Sequence, residues 1–134
     1  MKDLGELHHF LGMEVQRTGD SLFLSQRQYM IDILNHAGMA NCKPVSTPVD
    51  GNPKLSADGV PVQDATDSRS LAGALQYLTF TRPDIAYAAQ QICLYMHDPR
   101  ELHLPALKRI LRYIRGTLHM GLVLRPSFLA ELVV

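Results

Sequence analysis

The stretch that decides the fold runs from residue 104 to residue 116 and reads LPALKRILRYIRG. Its apolar residues recur three and four positions apart, which is the spacing of one face of an α-helix. These residues are Leu107, Ile110, Leu111 and Ile114. Pro105 fits the first turn of such a helix and Gly116 fits its C-cap. The sequence therefore predicts an amphipathic helix whose apolar face points inward.

The other face of this helix is basic. Lys108, Arg112 and Arg115 share it at helical spacing, and with Arg109 they place four positive charges within eight residues that contain no acid. Such a face could bind a polyanion. A solvated helix face is the alternative, since lysine and arginine are mostly exposed in any globular protein.

Two further helices precede it. Leu71, Leu75 and Leu78 predict a helix that begins near residue 67 or 68 and ends before Pro83. Pro83 at a first helical position starts the next one. Its apolar stripe consists of Ile85, Ala89, Ile92 and Met96, and Pro99 is expected to close it. Residues 67–117 are thus predicted to form a three-helix cluster.

The N-terminal part of the chain is predicted to contain strands. Alternating apolar residues around Met13, followed by a turn at residues 18–21 and a second apolar run, indicate a β-hairpin within residues 1–25. A helix follows over residues 26–39, with Ser25 and Gln28 as a capping box and Gly38 at the C-terminal end.

Residues 40–66 carry four of the eight prolines, which excludes a regular element there. We call this segment the strap, because an extended path across the surface is favoured over a free linker. Residues 118–134 are predicted to hold a short strand at 121–125 and a divergent tail. The expected fold class is α+β.

The amino-acid composition excludes several classes of protein. The 134 residues carry 13 basic and 13 acidic groups, so the net charge of zero excludes a histone-like or acidic disordered chain. Cys42 and Cys93 are too few for a disulfide framework, which favours a reducing compartment. The absence of a long apolar run predicts no membrane segment. We expect an intracellular location, in the cytoplasm or alternatively the nucleus or an organelle.

Catalytic signatures are missing from the sequence. It has no pair of carboxylates at helical spacing on an apolar face, no glycine-rich phosphate loop and no HExxH motif. His8 and His9 would point to opposite faces of a strand, which is poor geometry for a metal. His97 and His103 are interpreted as exposed loop residues. We expect the chain on its own not to be an enzyme.

Several blocks of sequence resemble one family. These blocks are MKDLG at 1–5, HFLGMEV at 9–15, CKPVSTP at 42–48, GALQYLT at 73–79, TRPDIAYA at 81–88 and KRILRY at 108–113. In this order they closely resemble the C-terminal part of the reverse transcriptase domain in copia-type retrotransposon polyproteins. The resemblance extends to about residue 124, after which the tail departs from the family pattern.

The resemblance implies a polymerase fragment. In that family the catalytic aspartates, which hold Mg²⁺, precede the block that resembles residues 1–5, and a ribonuclease H region follows. The expected partners are therefore the missing upstream palm and fingers, the downstream ribonuclease H region and an RNA–DNA or DNA duplex. We expect no cofactor to be bound by this fragment itself, because two-metal phosphoryl transfer needs those carboxylates.

The same resemblance suggests which residues hold nucleic acid. The hairpin at Leu11, Gly12 and Met13 resembles a primer grip at the end of the palm, and the helices resemble a thumb. In a thumb, Lys108, Arg112 and Arg115 would contact phosphates. For Tyr77, Tyr87 and Tyr113 we favour core packing over base stacking. Arg82 and Asp84 are interpreted as structural.

Two other functions are compatible with the sequence. The chain could be an inactive, truncated relic with exposed apolar surface. It could also be a helical protein-interaction module that docks through its apolar tail at residues 128–134.

Overall fold

The computed structural model describes residues 13–49 and 55–125. The fold is α+β, as expected. In chain order its elements are β1 (Glu14–Thr18), β2 (Ser21–Ser25), α1 (Arg27–His36), α2 (Thr66–Leu78), α3 (Ala86–Cys93), α4 (Leu104–Gly116) and β3 (Leu122–Leu124). Short 3-10 turns at Pro83–Ile85 and Glu101–His103 lead into α3 and α4.

The three strands form one antiparallel sheet in the order β1-β2-β3. The hairpin turns at Gly19, whose φ of 58° lies in the left-handed region that favours glycine. The predicted strand at 121–125 is confirmed as β3, which pairs with β2. Gly121 permits this pairing, because a Cβ there would lie 2.3 Å from the carbonyl oxygen of Leu24.

The four helices share a single apolar core. α4 packs against α1 and α3, and α2 packs against α1 and α3. The predicted apolar face of α4 is confirmed as buried. The other buried residues of the core are Met30, Ile33, Leu34, Ala72, Leu75, Leu78, Ile85, Ala88, Ala89, Ile92 and Met96. The helix expected at 26–39 thus belongs to the same core as the later helices.

The ends of α1 show one correct and one wrong prediction. Gly38, with a φ of 70°, ends the helix as expected, and the amide of Met39 bonds to the carbonyl of Leu34 at 2.8 Å. The Ser25 capping box is wrong, because the N-cap residue is Gln26 and it makes no side-chain cap. Gln26 is fully buried instead, and its side-chain oxygen accepts a hydrogen bond from Thr81.

Two other helix ends differ from expectation. α3 ends at Cys93, so Pro99 does not close it. Gly116 is the last residue of α4 rather than its cap, which is Thr117. Gly116 instead allows close contact, since a Cβ there would lie 2.9 Å from the Cβ of Pro44 in the strap. The strap therefore lies directly against the end of α4.

Candidate nucleic-acid interface

The basic face of α4 carries three arginines that fasten the strap. Arg109 donates from Nε to the carbonyl of Thr47 at 3.1 Å, and from Nη2 to the Thr47 hydroxyl at 2.8 Å. Arg112 and Arg115 donate from Nε to carbonyls of the strap, each at 2.8 Å. We call these three side chains the arginine ladder. Because the accepting carbonyls belong to Thr47, Lys43 and Ala40 in turn, the strap runs antiparallel to α4.

The ladder leaves much of its hydrogen-bonding capacity unused. Within residues 13–49 and 55–125, the Nη groups of Arg112 and Arg115 have no hydrogen-bond partner. A guanidinium has five N–H donors; Arg112 and Arg115 each use one of them on the strap, and Arg109 uses two. Lys108 lies one helical turn before Arg112 on α4, and Lys43 is the strap residue whose carbonyl accepts from Arg112. Both lysines are exposed. Charges from two segments thus form one basic surface.

The second half of the strap is fixed by two aromatic side chains, the partly buried Tyr95 and the buried His103. The hydroxyl of Tyr95 donates to the carbonyl of Leu55 at 2.7 Å. His103 Nε2 lies 2.6 Å from the carbonyl of Ser56, and its Nδ1 accepts from the amide of Arg100. This pairing requires the neutral ring with its proton on Nε2. The expectation that His103 is an exposed loop residue is wrong, since the ring is fully buried and stacked on Tyr95.

A buried arginine sets the position of α4 relative to the start of α3. Arg82, 1% exposed, makes two hydrogen bonds to the carboxylate of Asp84 at 3.0 and 2.9 Å. Its Nη1 donates to the carbonyl of Thr117 at 3.1 Å, and Nη2, which already bonds to Asp84, also donates to the Thr117 hydroxyl at 2.6 Å. The guanidinium also lies 5.7 Å from the centre of the Tyr113 ring. These contacts agree with the structural role expected for Arg82 and Asp84.

The electrostatics of this cluster favour an ionised Asp84. Burial alone would raise the pKa of Asp84, but hydrogen bonds from Arg82 and Tyr113 and the charge of Arg82 outweigh it and lower that pKa. Conversely, burial and the neighbouring Asp84 raise the pKa of the Tyr113 hydroxyl. The cluster therefore holds a full ion pair at neutral pH.

The remaining residues of the predicted interface fall into three groups. Leu11 and Gly12 lie outside the described residues, and Met13 is partly exposed directly before β1. Lys108 is exposed, as a phosphate contact requires. Arg112 and Arg115 are partly buried because they hold the strap, a role that the sequence pattern did not reveal. Their contact with nucleic acid stays a prediction.

The three tyrosines do not behave alike. Tyr77 packs edge to face on Tyr29 with ring centres 5.4 Å apart, and Tyr113 donates to Asp84 at 2.6 Å. Both agree with the packing expected for them. Core packing is wrong for Tyr87, which is 56% exposed on α3.

A groove of about 400 Å³ lies between α3 and α4, with the strap along one edge. Tyr87 and Gln91 of α3 line one side, and Ala106, Arg109 and Arg112 of α4 line the other. No local sequence pattern indicates this groove, because its sides come from three segments that are far apart in the chain.

Two kinds of feature are absent from the described ranges, 13–49 and 55–125. There, no group of three or more His, Cys, Asp or Glu side chains is placed to hold a metal ion. Nor does any helix in those ranges have the length and apolar character needed to cross a membrane.

Comparison with known proteins finds relatives that match most of the chain. The chain is 50% identical over 128 residues to the retrovirus-related Pol polyprotein from transposon RE1 of Arabidopsis thaliana, a match that covers 95% of this chain. It is 48% identical over 127 residues to an uncharacterized mitochondrial protein of the same plant. It is 41% identical over 127 residues to the retrovirus-related Pol polyprotein from transposon TNT 1-94 of Nicotiana tabacum.

The chain is homologous to a segment of transposon Pol polyproteins. It spans 9% of the RE1 polyprotein and 53% of the mitochondrial protein. No protein-family model matches the chain, and no solved structure matches it. These relatives agree with the resemblance to a retrotransposon polyprotein that the sequence blocks indicate.

Proposed function

We propose that this chain is the C-terminal part of a copia-type reverse transcriptase domain, and that α4 and the strap hold the backbone of a template–primer duplex. The observation that carries the proposal is the basic surface made by the arginine ladder with Lys43 and Lys108. The chain is homologous to transposon Pol polyproteins, so a nucleic-acid duplex is the polyanion that we expect this surface to bind.

The chemistry of this surface suits phosphates. α4 contains no acidic residue, so no carboxylate on that helix competes for the ladder. The free Nη groups of Arg112 and Arg115 can each donate to phosphate oxygens while Nε keeps the strap in place. Phosphate contacts fix position without reading sequence, which is what a polymerase needs from a duplex-holding surface.

The strap gives this surface its rigidity. An arginine that already bonds to a backbone carbonyl loses less rotational freedom when it binds a ligand. Tight contact of Pro44 with Gly116 and the bonds from Tyr95 and His103 keep the strap in register. The proposal therefore assigns the strap to the binding surface, and not merely to a connection between elements.

Catalysis is proposed to come from elsewhere. The described residues do not fit a magnesium site, since they place no group of three acidic, histidine or cysteine side chains together. A polymerase relative would use Mg²⁺ held by upstream aspartates. We propose that Leu11, Gly12 and Met13 act as a primer grip, as the family resemblance implies, and that this chain holds the duplex without catalysing transfer.

The test is binding of a fluorescent RNA–DNA hybrid to the full chain across a salt series, measured by anisotropy. Lys43→Ala and Lys108→Ala are the most informative variants, because both side chains are exposed and neither makes a hydrogen bond to the described residues that holds the strap. Each Lys→Ala change should reduce the slope of log K against log salt by about 1. Loss of affinity should be uniform across duplex sequences.

The matched control is Arg27→Ala, which removes one exposed charge from α1. It should leave the salt slope unchanged. Equal effects of Arg27→Ala and Lys108→Ala would mean that only net charge matters, and the assignment of this surface would be wrong. An absence of binding by the folded chain at low salt would also overturn it.

A further inference from the structure

Tyr87 is an exposed aromatic ring beside a basic surface. It is 56% exposed at the second position of α3, and it lines the groove between α3 and α4. An exposed aromatic ring on the wall of a concave site offers a flat face on which a planar ligand can stack. Leu102, 38% exposed, adds apolar surface to the same groove.

The groove combines an apolar lining with a cationic side. Ala106 and Pro105 of α4 are small or flat residues on its lining, and Arg109 and Arg112 border it from the same helix. Its volume of about 400 Å³ lies within the range of roughly 300–1,000 Å³ that is usual for small-ligand sites. A ligand that fits must offer a flat apolar part and a negative charge next to it.

We propose that this groove binds an unpaired nucleotide, with its base stacked on Tyr87 and its phosphate held by the Nη groups of Arg112. This inference rests on the proposed function and deepens it, because it adds a base-binding subsite to a backbone-binding surface. Every nucleobase has a π face, so the subsite would accept a strand without sequence preference.

Charge complementarity favours a nucleotide over an apolar peptide segment. Arg109 and Arg112 of the arginine ladder line the groove, and their helix carries no acid. An apolar peptide would leave these guanidinium groups without anionic partners. The amide of Gln91, one turn after Tyr87 on α3 and also in the groove lining, can both donate to and accept from a base edge.

The experiment compares three RNA–DNA hybrids of equal duplex length by anisotropy at one fixed salt concentration. One hybrid is blunt, one carries a short unpaired DNA extension, and one carries an abasic extension of the same length. The abasic extension has the same phosphates without bases, so it separates stacking from charge. The base-bearing extension should bind about 5- to 10-fold more tightly than the abasic one.

The gain in affinity of the base-bearing extension over the abasic one is assigned to Tyr87 by comparing variants. Tyr87→Ala should abolish the gain while leaving affinity for the blunt hybrid unchanged, and Tyr87→Phe should retain it. Phe80→Ala is the matched control, because Phe80 is 63% exposed but does not line the groove. It should leave the gain intact. Circular dichroism of each variant verifies the fold.

The outcomes separate this inference from the proposed function. Equal affinity for base-bearing and abasic extensions, with normal duplex binding, overturns the subsite alone. A gain that Tyr87→Ala leaves in place, or that Phe80→Ala also removes, overturns it as well. If no hybrid binds, the proposed function and the subsite are both wrong.

Discussion

Replacing Arg82 tests how α4 is held in position. Arg82→Ala removes two hydrogen bonds to Asp84 and two to Thr117, and it leaves the Asp84 carboxylate without its ion-pair partner. Breaking a buried ion pair from one side costs about 3–5 kcal/mol. The Asp84 side chain is 28% exposed and can partly rehydrate, so we expect the low end, about 3 kcal/mol.

Urea unfolding measures this cost. With a denaturant slope of about 2 kcal/mol per molar, a loss of about 3 kcal/mol lowers the midpoint by about 1.5 M. Arg82→Lys keeps the positive charge but not the planar fork, so it should lose about half as much. This milder variant keeps the comparison measurable if Arg82→Ala does not fold.

Arg69→Ala is the matched control. Arg69 also donates two hydrogen bonds to the backbone, to the carbonyls of Met96 and His97, but the residue is exposed. Its replacement should cost less than about 1 kcal/mol, because water can replace its bonds. If Arg82→Ala costs no more than Arg69→Ala, the proposed anchoring of α4 is refuted.

Three further predictions concern the stability of the fold. The pKa of Asp84 is lower in the folded chain than in the unfolded chain, so the ionised carboxylate stabilises the fold at pH values above the unfolded-state pKa. This stabilisation is lost as the pH falls through the folded-state pKa. The urea midpoints of the native chain and Asp84→Asn should therefore differ more at pH 7 than at about pH 3. Gly116→Ala should destabilise by about 1–2 kcal/mol, because its Cβ would overlap Pro44. Gly73→Ala, in open space within α2, should instead stabilise by about 0.5–1 kcal/mol in the same urea assay.

The sequence predicted the parts of the fold that depend on local patterns. The apolar stripe of α4, the proline that opens the turn at Pro83 and the left-handed Gly38 each follow from short-range geometry. The Ser25 cap was mispredicted because Gln26 is drawn into the core by a bond to Thr81, 55 residues away. Local capping rules cannot anticipate such a distant partner.

The candidate site was predicted only in part. The basic face of α4 follows from helical spacing, but its bonds to the strap join residues 62 to 75 positions apart. The burial of His103 was missed for the same reason, since its partner Ser56 is 47 positions away in a proline-rich segment. Tyr87 was assigned to the core because helical spacing alone does not show which face of α3 the later helix covers.

Lysine footprinting tests most directly the central claim that the strap and α4 together bind a duplex. The chain has only four lysines, at positions 2, 43, 54 and 108, so each can be followed by mass spectrometry after brief acylation. A bound RNA–DNA hybrid should protect Lys43 and Lys108 together, because the strap and α4 form one phosphate-binding surface. Lys43 and Lys108 reacting equally fast with and without saturating hybrid would contradict that account.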